Sequence, residues 1–134
     1  MVERRNGGEF GLGTIVVGYV PKPEGAAALA RAIEEARLRG ARLLVVSSDR
    51  GGLDAEANAI GEQLAASGVE HEVRRIAAGS DAARDLEDVA GEVDAELLVI
   101  GLRRRSPVGK LILGSSAQRI LLDAPCPVLA VKAG

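Results

Sequence analysis

The chain has 134 residues, 47% of them hydrophobic, and a formal net charge of −2. That length suits one domain with a full core, and the small charge supplies no global attraction to nucleic acid or to an anionic membrane. Phe10 and Tyr19 are its only large aromatic residues, which argues against a platform that stacks nucleic-acid bases.

One cysteine, Cys126, excludes an internal disulfide, and together with one histidine, His71, it falls short of the usual metal-ligand sets. No apolar run approaches the roughly 20 residues a membrane-spanning helix needs. The opening "MVERRNGGEFGLG" has no hydrophobic signal core. Residues 1–12 read as a flexible glycine-rich arm, residues 13–134 as a single domain, and the protein as cytoplasmic, with neither nucleic acid nor membrane as partner.

From Gly13 the chain alternates short apolar runs with amphipathic stretches. "TIVVGYV" (14–20) is a β-branched run too short for a helix and predicts a buried strand. Pro21, Pro23 and Gly25 mark a turn, with Pro23 suited to a helix start. Ala26, Leu29, Ala30 and Ile33 follow at helical spacing, and Gly40 ends that helix.

"ARLLVVSS" (41–48) predicts a second buried strand. Leu53, Ala57, Ile60 and Leu64 step by four, three and four, giving a second helix that stops at Gly68. "VEHEVRRI" (69–76) alternates apolar and polar residues, so one face is wet and the strand belongs at a sheet edge. Ser80 or Asp81 caps a third helix carrying Leu86, Val89 and Ala90 inward. "AELLVIG" (95–101) is the fourth strand, Ser115 to Asp123 the last helix, and "PVLAVK" (127–132) the fifth strand. Strands this apolar need helices on both faces, and right-handed crossovers make the sheet parallel. The prediction is a doubly wound α/β domain. Its ligands belong beyond the carboxyl ends of the strands, at the loops after strands one and four.

The segment "GLRRRSPVGKLILGSSAQRIL" (101–121) bears most on chemistry. Ser115 and Gln118 have the spacing of a capping box. Gly114 lets backbone approach a ligand, and a helix N-terminus there favours an anion. Arg103, Arg104, Arg105 and Lys110 bring positive charge. The same features also describe an ordinary capped helix after a solvated basic loop. A Walker A loop is excluded, because Gly109-Lys110 would require glycine at 104 and Ser or Thr at 111, which are arginine and leucine. Three arginines without aromatic partners do not make a nucleic-acid site. No Ser-His-Asp spacing and no general base beside the loop identify an enzyme.

A strand ending "LLVIG", an exposed loop and "LGSSAQRILLDAPCPVLAVK" together resemble the universal stress protein family over about residues 13 to 132. The resemblance implies strand order 3-2-1-4-5 and places Gly101, Gly114, Ser115 and Ser116 around the ribose and phosphates of ATP or a related adenine nucleotide, with Mg2+ as a possible companion. Two departures stand out. The family's second motif glycine falls on Arg104, and the acidic residue expected near adenine falls on Val20. The resemblance also implies a homodimer through the last strand, Val128–Lys132, since an exposed apolar edge calls for cover. It leaves open a homodimeric interaction protein that binds no nucleotide, and a slow ATPase rests on fold analogy alone.

Overall fold

The computed structural model describes residues 13–48, 54–76, 81–102 and 114–133. Five strands and four helices alternate: β1 (Thr14–Tyr19), α1 (Pro23–Arg39), β2 (Arg42–Ser48), α2 (Asp54–Ser67), β3 (His71–Ile76), α3 (Ala82–Glu92), β4 (Leu97–Leu102), α4 (Ser115–Asp123) and β5 (Val128–Lys132). All strand pairs are parallel, and the order across the sheet is β3-β2-β1-β4-β5. This is the doubly wound sheet that the apolar runs predict. The arm at 1–12 lies outside the described residues.

The alternation of side chains along β1 divides the core. Ile15, Val17 and Tyr19 face α1 and α2, where Leu29, Ala32, Ile33, Ile60 and Leu64 close over them. Val16 faces the other way, toward Leu86 and Ala90 of α3 and Ile120 of α4. The central strands are buried on both faces, which explains their continuous Val/Leu/Ile runs.

Local chemistry sets the helix ends. Pro23 opens α1, where its missing N–H costs no helical bond, and Gly40 ends the helix at φ 63° with its N–H turned back to Ala36 and Arg37 carbonyls. Glu35 accepts from both Arg31 and Arg39 at 3.0 Å, and Arg39 continues to Glu96 just before β4. Arg39 and then Arg31 hold the Glu35 carboxyl below the usual glutamate range. Asp81 is the residue that caps α3, accepting from the Arg84 N–H at 3.2 Å.

The two sheet edges differ. β3 is mostly exposed and carries Glu72 and Arg74, paired to each other at 3.0 Å. β5 is half-buried and apolar along Val128 to Val131. Among the described residues, no helix is long and apolar enough to cross a membrane.

Candidate functional site

β1 is followed by β2 on one side, whereas β4 lies on the other, so the chain reverses its direction of travel across the sheet between β1 and β4. Open α/β sheets bind ligands at such a point, outside the carboxyl ends of the strands. A cleft of about 240 Å³ occupies it. The strands contribute Gly18, Tyr19, Val46, Ile76, Ile100 and Gly101, and Val20 follows β1. The first turns of three helices complete the lining: Glu24 and Gly25 from α1, Ala82 and Ala83 from α3, and Ser116 and Ala117 from α4. Leu86 and Ile120 reach in from deeper along α3 and α4.

Two glycines make this arrangement possible. A Cβ on Gly25 would overlap the Val20 carbonyl, and one on Gly101 would overlap the Glu24 carbonyl. The turn after β1 is thus pressed backbone to backbone onto the end of β4. Gly18 has a softer constraint, since a Cβ there would stand 2.8 Å from the Leu86 side chain. Gly114 differs from all three, because a Cβ on it would meet nothing within 4 Å.

Of the residues singled out from sequence, Val20, Gly101 and Ser116 line the cleft. Gly114 and Ser115 adjoin it as the N-cap and first residue of α4. Arg104 lies outside the described residues, as do Arg103, Arg105 and Lys110. The capping-box expectation needs correction. The helix spans Ser115–Asp123 as expected, but its N-cap is Gly114 instead of Ser115, at φ −73° and ψ 167°, and the Gly114 carbonyl accepts the Gln118 N–H at 3.0 Å. Ser115 therefore belongs to the helix itself, because Gly114 takes the extended conformation that a cap requires.

The sequence reading passed over Glu24, Gly18, Val46, Ile76 and the first turn of α3. Its available signals were the glycine interrupting the β-branched run at 18 and the carboxylate directly after Pro23.

α3 and α4 are tied together beside the cleft. Arg119 donates to Asp81 at 2.8 Å and stands 3.6 Å from the largely buried Glu87 Oε2. The Arg84 N–H and then Arg119 hold the Asp81 carboxyl below the usual aspartate range, and Asp81 in turn raises Arg119. Elsewhere, His71 Nδ1 lies 2.8 Å from the Val69 carbonyl, and burial raises the Cys126 thiol. Among the described residues, no three His, Cys, Asp or Glu side chains converge to hold a metal ion.

A model described as "Universal stress protein family" matches residues 47–132. A universal stress protein of Mycolicibacterium smegmatis is 49% identical over 126 residues, covering 88% of this chain and 96% of the relative. The chain belongs to the universal stress protein family. A solved universal stress protein from Archaeoglobus fulgidus superposes with a TM-score of 0.67 at 37% identity, covering 90% of this chain and 98% of that one. A universal stress protein from the same organism, solved in complex with dAMP, gives a TM-score of 0.62 at 30% identity over 90% of this chain and 98% of that one. The chain thus shares the overall fold of these two solved universal stress proteins, and Gly114-Ser115-Ser116 falls within the span matched to the family.

Proposed function

We propose that this universal stress protein is a cytoplasmic stress-response module that binds ATP or a related adenine nucleotide in the cleft between β1 and β4. The observation that carries the reading is the lining itself. An apolar bed of Val20, Val46, Ile76 and Ile100 suits a planar base, and the first turn of α4 stands beside it. That turn offers backbone N–H groups and the positive end of a helix dipole to phosphate. A similar universal stress protein solved with dAMP supports the ligand class. Val20 packs against the base and has no side-chain acceptor for its amine. Gly101, Gly114, Ser115 and Ser116 surround the sugar and phosphates. The sequence adds Arg104 to this proposed set, as a guanidinium suited to pair with phosphate, and any Mg2+ arrives with the phosphates. We assign no hydrolysis.

The same reading makes the protein a homodimer through Val128–Lys132. β5 is an edge strand with an apolar run, and Leu122 of the preceding helix is 83% exposed. A two-fold axis beside β5 lets one surface complement itself.

Calorimetric titration with ATP and AMP tests the nucleotide reading, beside mass spectrometry of ligands released on denaturing the purified protein. Binding to the parent, abolished in a folded Gly114→Val variant, is the expected result. Equal affinity in both proteins removes the phosphate role of α4. No binding to the ligand-free parent favours the homodimeric, nucleotide-free interaction protein.

A further inference from the structure

We propose that Glu24 sets ligand choice in this cleft by accepting hydrogen bonds from the sugar hydroxyls of a bound nucleotide, an inference that rests on the adenine-nucleotide reading. Among the described lining residues, Glu24 alone carries a charged side chain. Its backbone is fixed in place, because its carbonyl lies where a Cβ on residue 101 would stand. Glu24 therefore sits over the junction of β1 and β4.

The surroundings of that junction are unequal. Toward β3 lie Val46 and Ile76, which with Leu86 belong to an apolar cluster fit for a base. In the other direction α4 begins, where helix N–H groups favour phosphate. Neighbouring strands are about 4.8 Å apart, so the two steps from β2 to β4 span about 10 Å, comparable with the reach from base to phosphate in a nucleotide. A nucleotide laid across the strands in this direction sets its sugar over the β1–β4 junction, beside Glu24. A carboxylate accepts and does not donate, so it repels phosphate oxygens and suits a vicinal diol with two O–H donors. Val20, four residues earlier, has no acceptor in its side chain to share this role.

Calorimetry with AMP, its 2′,3′-dideoxy analogue and inosine monophosphate decides the assignment. The parent should bind AMP about tenfold more tightly than the dideoxy analogue, the size of a lost charge-assisted hydrogen bond. Glu24→Ala should erase that preference by weakening AMP alone, and Glu24→Gln, which keeps an amide oxygen, should retain part of it. Inosine monophosphate, with the same sugar and no exocyclic amine, should follow AMP in every protein. A merely structural role would weaken all three ligands equally in the variants and overturns the proposal. A variant effect that depends on the amine rather than the hydroxyls overturns it as well. A parent that binds none of the three overturns the nucleotide reading and the role of Glu24 together.

Discussion

Arg119 of α4 donates to Asp81, the N-cap of α3, at 2.8 Å. One guanidinium thereby joins the second turn of α4 to the N-terminus of α3, two helices whose residues line the cleft. Glu87 lies on its other side, its Oε2 buried, without a hydrogen-bond partner, and 3.6 Å from the Arg119 Nε. Arg119 thus stands between two carboxylates, and its removal leaves them facing each other. The pair is half-exposed, so its consequence for the molecule is mainly where α3 and α4 stand, and only slightly how stable the fold is.

The depressed Asp81 carboxyl gives the fold a pH signature. Such a group stabilises the folded state at pH values above its unfolded value, and the contribution disappears as pH falls through its folded value. Asparagine caps a helix as well as aspartate does, so Asp81→Asn removes the charge and keeps the cap. The melting temperature of the parent should exceed that of Asp81→Asn by a constant margin above about pH 5, with the margin vanishing as pH falls below the ordinary aspartate value. A margin that grows on acidification would contradict the ion pair and its sign.

Gly101 and Gly114 should respond oppositely to alanine. At 101 the new Cβ meets the Glu24 backbone, which cannot rotate away, and the strain should cost about 2 kcal/mol or more and distort the cleft. At 114 the position is open and φ is ordinary for any residue, so the loss should stay below about 1 kcal/mol, the cost of a poorer N-cap. Urea unfolding of both variants measures this, and equal losses would refute the distinction.

The difference between these glycines also marks how far the sequence was legible. Apolar runs at 14–20, 41–48 and 95–101, punctuated by Pro23 and Gly40, were sufficient to predict the parallel sheet, because local pattern and burial agree there. The polar alternation of 69–76 correctly placed β3 at an edge. Gly101 was legible as a site residue only through family resemblance, and the sequence did not reveal that α1 presses on it. Glu24 was missed for the same reason. Its place in the cleft follows from how the turn after β1 packs across to β4, a tertiary contact that spacing along the chain does not encode. The range of α4 was legible, but its cap was assigned to Ser115 instead of Gly114, because serine and glycine both make good N-caps.

The proposed dimer has a local test in Ala130. Leu98 donates to the Pro127 carbonyl and Ala133 to the Leu102 carbonyl, and the register pairs Leu98 with Val128 and Ile100 with Ala130. In a parallel ladder this alternation turns the N–H groups of Val128 and Ala130 toward the outer edge. Ala130→Pro therefore removes an outward donor and leaves the bonds to β4 in place. Light scattering should find a dimer for the parent and a monomer for the variant. A parent that is monomeric at high micromolar concentration ends the dimer proposal, and a variant that remains a dimer moves the interface elsewhere.

The unlike edges of the sheet carry a consequence for polymerisation. Endless growth requires each copy to offer two edges that accept another strand. This chain has one apolar edge, β5, whereas the β3 edge is lined with solvated Glu72 and Arg74. A sheet continued through β5 about a two-fold axis presents β3 at both outer margins. Its growth stops at two copies, so the edge that favours pairing does not by itself commit the protein to fibres.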